Sequence, residues 1–305
     1  MLEHDGSWTA PATKEDGAGA EQTGRERRAI PLLERTDHSA PSVLKPENML
    51  REARRQKGLA AGSVPAVCVL DPDGDIVLHL RQRHGATRSA HWACYHTEMW
   101  EWLEGGNRLG IVGCAVGSSF SVLVAEQLSA SGCSLVLSPA SAGQIADDGP
   151  LPYYILVERA LRDEGTSHHY LPAARYAECD PGLFALAKRT LRRTGLPIRC
   201  GATWTTDAPF RETAETVIAR RGEGVLAVEM EAAALYAFAK ARGVDVLCLA
   251  HVSNQLGQIE GDFEKGHGNG AVASLRLLSA LAEDFLRSNH RDADAASIQE
   301  GVFNG

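Results

Sequence analysis

An apolar run, Val225-Leu226-Ala227-Val228, ends in Glu229-Met230-Glu231 and passes without a break into Ala232-Ala233-Ala234-Leu235-Tyr236-Ala237-Phe238-Ala239-Lys240-Ala241. The first part has the length and composition of a buried strand, and the second is built from strong helix formers small enough for close packing. Two carboxylates therefore fall at a strand-to-helix junction. There the helix dipole favours negative charge, and ligands of α/β folds commonly bind.

The same alternation runs along the rest of the chain. A helix is expected from Pro46 to Gly58, with Pro at its start and Gly at its end. Val64–Leu70 reads as a buried strand, Asp71–Asp75 as a turn and Ile76–Leu80 as a further strand. Arg108–Val116 and Ser134–Ser138 read as strands around a helix over Ser118–Ala130. Helical spacing is found over Tyr153–Asp163, Gly182–Arg193 and Glu212–Arg221, Val246–Val252 reads as a strand, and Gly266–Arg287 holds a closing helix. This pattern predicts an α/β fold of three layers (α/β/α) around a mixed, largely parallel twisted sheet. The expected organisation is a disordered tail over residues 1–29, one domain over 30–288 and a flexible tail over 289–305.

Composition excludes several classes. The formal net charge of −8 gives no general attraction for nucleic acid. No stretch approaches the roughly 20 apolar residues of a membrane span, and no signal peptide is read at the start. Seven cysteines, an odd number set mostly in apolar runs, suit reduced thiols in the cytoplasm. His84, His91, Cys94 and His96 lie close together, but their spacing matches no standard zinc module. No metal is expected.

The Glu229-Met230-Glu231 junction resembles the ribose-binding signature of the class-one nucleoside phosphorylase family, which includes uridine and purine nucleoside phosphorylases and nucleosidases. Other segments follow the family's motif order between about residues 65 and 287. Gly113-Cys114-Ala115-Val116-Gly117-Ser118-Ser119 resembles its Gly-rich loop. Leu137-Ser138-Pro139-Ala140-Ser141-Ala142-Gly143 resembles a strand-loop on the phosphate side. Val69-Leu70-Asp71-Pro72-Asp73-Gly74 resembles a Gly-Asp-Pro-x-Arg phosphate loop. Gly201–Thr213 resembles a base-pocket segment, and Ala250-His251-Val252-Ser253-Asn254 the loop that faces the base.

The resemblance implies a nucleoside-phosphorylase-like fold and a pentosyltransferase that cleaves a nucleoside by phosphorolysis to base and ribose-1-phosphate. Hydrolysis with water as nucleophile stays open as an alternative, as does nucleoside binding without turnover. Glu231 is implied as catalytic with Asn254 and Arg211. Glu229, Met230, Glu231 and Ser141 are implied at the ribose, and Phe210, Arg211, Thr206 and Asn254 at the base. Gly117, Ser118, Ser141 and Arg88 are implied at the phosphate. Phosphate is the co-substrate, with no organic cofactor. The implied assembly is a homodimer or larger. Three phosphate-binding arginines of the family have no counterpart here: Ser138 and Gly74 stand at two of the positions, and the third falls near Tyr95 or His96. Asn254 stands where purine-specific members carry an Asp.

Overall fold

The computed structural model describes residues 31–34, 37–147, 149–258 and 260–303. The tail expected over 1–29 lies outside them, and 289–303 continue the backbone of the last helix. The first helix, α1 (Pro46–Lys57), has Pro at its start, Glu47 in its first turn, three basic residues in its last and a left-handed Gly58 after it. Strand β1 (Val67–Asp71) is buried at every position.

Helix α2 (Asp75–Arg83) stands where a strand over Ile76–Leu80 was expected. Ile76 and Leu80 are its buried residues, four apart on one helical face. The Asp71 carboxylate accepts the Val77 N–H at 2.9 Å and so satisfies a donor of the first turn. Three strands follow: β2 (Thr87–Arg88), β3 (Met99–Glu104) and β4 (Asn107–Gly113). Then come α3 (Ser118–Ala130) and β5 (Leu135–Gln144).

Residues Tyr153–Asp163 form β6, an eleven-residue strand, rather than the expected helix. Burial runs unbroken over Tyr153–Val157 and resumes at Ala160–Arg162, with exposed Glu158 and Arg159 at a register shift between them, so no two-residue alternation marks it as a strand. The chain continues through β7 (Tyr176–Glu178), α4 (Pro181–Arg192), β8 (Ile198–Thr206), α5 (Ala214–Gly222) and β9 (Val225–Glu229). It ends with α6 (Ala232–Arg242), β10 (Asp245–Asn254) and α7 (Ala271–Phe303).

The sheet is mixed and closed, which corrects the expected three-layer, largely parallel arrangement. Strand β10 pairs in parallel with β5 and antiparallel with β6. Strand β6 pairs with β8, β8 with β9, and β9 with the end of β5 at Gly143 and Gln144, which closes the ring. Strands β1, β4, β3 and β2 extend from β5 as an open wing. Five of the ten pairings are parallel. Seven α-helices are present among the described residues, with α3 packed on α6 and α4 on α7.

Helix α6 is apolar nearly all round and buried from Ala232 to Phe238. Tyr236 ties it to the ring: its hydroxyl donates to the Val157 carbonyl at 2.6 Å and accepts from the Cys248 N–H at 3.2 Å. This fixes the start of α6, and with it the Glu229–Glu231 junction, against β6 and β10. None of the described helices is long and apolar enough to cross a membrane.

Candidate active site

Glu229 ends β9 and is fully used inside the fold. One carboxylate oxygen accepts the hydroxyls of Thr203 and Thr205 at 3.1 and 2.6 Å. The other accepts the N–H groups of Glu231 and Ala232, both at 2.7 Å. It therefore caps α6 from inside the core and fixes the backbone of the junction. Burial raises its pKa, against the pull of these hydrogen bonds.

Glu231 stands at the N-cap position of α6, yet its side chain makes no capping bond to that helix. It is buried and turns to the Gly-rich loop, where one oxygen accepts the Gly117 N–H at 2.6 Å and the other the Met230 N–H at 3.1 Å. Desolvation, then the neighbouring Glu229 charge, pushes its carboxyl up to about 8. Two segments 114 residues apart in sequence thus meet through one carboxylate. Ser118 reinforces the junction by donating to the Met230 carbonyl at 2.7 Å. Gly117 has φ +84°, a region that glycine alone enters freely, and a Cβ there would meet the Met230 methyl.

Beside Glu231, the expected phosphate side is acidic. Ser141 donates its hydroxyl to Asp73, and Asp73 also accepts from Lys265 at 2.9 Å. Lys265 bonds Asp75 too, at 2.8 Å, and Asn269 donates to the other oxygen of Asp75 at 3.1 Å. Burial works against the charge on Lys265, but the bonds and charges of Asp75 and Asp73 outweigh it and leave its pKa above the ordinary value. Burial pushes Asp71 up to about 7. His251, next to Ser141 across the β5–β10 ladder, stacks on Tyr154 with 4.5 Å between ring centroids. Burial, then the Lys265 charge, pulls it down to about 4, so it is neutral at pH 7.

The structure thus joins Glu231, Met230, Gly117 and Ser118, and sets Ser141 beside them with Asp73. Asn254 is buried at the end of β10, its amide donating to the Ala142 carbonyl at 3.3 Å and accepting the Leu256 N–H at 3.0 Å. Thr206 is buried and accepts the Ala208 N–H at 3.2 Å. Phe210 is 100% exposed, and Arg211 is exposed beside it. Arg88 is exposed and paired with Glu98 at 2.8 Å. No group of three or more His, Cys, Asp or Glu among the described residues is arranged to hold a metal ion.

Sequence reading missed Lys265 and the pairing role of Asp73. Lys265 lies in a Gly-rich loop, residues 257–270, with no motif around it, and its partners are 190 and more positions away. Glu212, half-buried next to Arg211, is pushed up to about 7 by desolvation alone.

A profile of the phosphorylase superfamily matches residues 67–287. The chain belongs to this superfamily. Two DeoD-type purine nucleoside phosphorylases illustrate the relationship. The one from Jannaschia sp. strain CCS1 is 32% identical over 162 residues, 52% of this chain and 68% of that protein. The one from Bacillus cytotoxicus is 30% identical over 155 residues, 50% of this chain and 65% of that protein. The matches therefore span about two thirds of these relatives' length. Among solved structures, uridine phosphorylase from Vibrio fischeri ES114, complexed with 6-hydroxy-1-naphthoic acid, superposes with a TM-score of 0.62. It is 20% identical, and the match covers 72% of this chain and 92% of that one. At that identity the likeness establishes the superfamily fold alone.

The Lys265 bridge ties the loop over residues 257–270 to the β1–α2 turn. Lys265→Met is expected to free the loop at a cost of about 1 kcal/mol. Hydrogen exchange over residues 255–270 should quicken on the order of fivefold, with the exchange of β10 unchanged; unchanged loop exchange would show that the bridge does not hold it.

Proposed function

We propose that this chain cleaves the N-glycosidic bond of a nucleoside and transfers the sugar to phosphate. The observation that carries the reading is the Glu231 carboxylate, which is buried, makes no capping bond to its own helix and faces the Gly-rich loop of Gly117. Breaking an N-glycosidic bond passes through an oxocarbenium-like sugar. A buried carboxylate held against the sugar hydroxyls orients the ring and stabilises the positive charge that develops on it. Glu229 acts behind it as a positioning residue, since its oxygens are occupied by Thr203, Thr205 and the first N–H groups of α6.

Superfamily membership and the names of the relatives support phosphate as the acceptor. Hydrolysis is a second reading, favoured by one specific observation: Ser141 and Lys265 both bond the Asp73 carboxylate. A carboxylate there repels a phosphate dianion and suits a base that takes a proton from water. The same functional reading carries an expectation of a homodimer or larger assembly.

Incubation of the purified chain with nucleosides, with and without phosphate, tests the function. Free base with ribose-1-phosphate, formed only when phosphate is present, is the expected result. Free ribose at a rate indifferent to phosphate would select hydrolysis. Nucleoside binding without release of any base would overturn both.

A further inference from the structure

We infer that the groove between α4 and α7 is a second ligand site, which binds a nucleoside diphosphate. It is separate from the β9–α6 junction and independent of the reaction proposed there. Two cavities of about 650 and 540 Å³ lie along these helices and share Thr190, Arg193 and Arg287 as a common wall. Both have the size of a small-molecule site. No residue of β9, of the Gly-rich loop or of the start of α6 lines either one.

The shared wall is basic and already ordered. Arg193 follows α4, Arg287 lies on α7, and both donate to the Asp284 carboxylate, Arg287 at 2.6 Å. Thr190 donates to the same carboxylate. Burial works against the Asp284 charge, but these bonds outweigh it and hold the carboxyl down at about 2, so it stays ionised. Arg276 is fixed by the Thr194 carbonyl, which accepts from it at 2.8 Å. A guanidinium has five N–H donors, so Asp284 orients two of them and still leaves donors for a ligand. Arg189 lines the second cavity. The carboxylates beside these four arginines are Asp284, Glu104 and Glu283, the last paired with Arg287 at 3.2 Å. The groove therefore holds a surplus of positive charge on a chain whose formal net charge is −8. Guanidinium forks held in place in this way match phosphate oxygens and have little ordering left to lose on binding.

The rest of the larger cavity has a different character. His79 and His84 of the α2 end, with ring centroids 5.3 Å apart, line it together with Val272, Leu275 and Ala280 of α7. Flat imidazoles beside aliphatic carbons suit the face of a planar heterocycle. A bare anion leaves this part of the groove unused. A nucleoside diphosphate uses both parts, with its base against the histidines and its phosphates among Arg193, Arg287 and Arg189.

Titration calorimetry of the full chain with ADP, UDP and pyrophosphate tests the inference. At least one of the two nucleotides is expected to bind with a Kd below about 1 mM, and at least about tenfold more tightly than pyrophosphate. The double variant Arg193→Ala with Arg276→Ala, and separately Arg189→Glu, should each weaken that nucleotide at least about tenfold, with circular dichroism unchanged. All three side chains are exposed, and Arg189→Glu leaves the Asp284 bonds in place. Nucleotide binding of equal strength in the native chain and both variants would put the ligand elsewhere and overturn the inference. So would pyrophosphate bound as tightly as the nucleotides, or no binding of either nucleotide.

Discussion

Glu231→Gln is expected to lower kcat/KM for nucleoside cleavage by about 100- to 1,000-fold, the usual loss when one preorganised electrostatic contact to a transition state is removed. The amide keeps the shape of the side chain but cannot ionise, so the developing sugar cation loses the counter-charge that Glu231 supplies in its ionised form, which gains population as pH rises toward about 8. Circular dichroism should show an unchanged fold, because Gly117 and Met230 are held near the junction by Ser118 as well. A loss confined to KM would show that residue 231 serves binding alone.

The same variant has a pH signature. Burial raises Glu231 to about 8 and Asp71 to about 7 in the folded chain. Both values lie above those of an unfolded carboxyl, so the folded state holds extra protons between the two. The contribution is fully present at acidic pH and is lost as pH rises through about 7 to 8. Thermal stability of the native chain is expected to fall over that window, and Glu231→Gln should flatten the slope. Melting curves between pH 5 and 9 would measure it.

Glu229→Ala is expected to produce the largest loss of stability, about 3–5 kcal/mol. The substitution strips partners from two buried hydroxyls and two buried N–H groups at once, and removes the cap that starts α6. Activity should fall with it, since Glu231 follows two residues later on the backbone that Glu229 fixes. Denaturant titration checks the size of the effect. A cost under about 1 kcal/mol would mean that water or relaxation replaces those bonds.

The junction itself was legible because its information is local. A buried strand, two acids and a small-residue helix follow one another directly, and they recur in the structure as β9, Glu229–Glu231 and α6. Helix α3 was legible for the same reason. Strand β6 was not, because it is buried at five successive positions and shows no two-residue alternation, and only pairing with β8 and β10 decides against a helix. Helix α2 was hidden by the opposite effect: a short apolar run suits a strand until the Asp71 carboxylate caps its first turn. Closure of the sheet depends on β10 pairing on both sides, which no local pattern encodes. Lys265 and Asp73 meet across 192 positions, so their ion pair had no sequence signal beyond charge.

A crystal structure with an uncleavable C-nucleoside tests the central claim most directly. The sugar hydroxyls are expected within about 2.6–3.2 Å of the Glu231 carboxylate, with the Gly117 contact loosened to admit them. A nucleoside bound elsewhere, with Glu231 still closed on Gly117 and Met230, would contradict it.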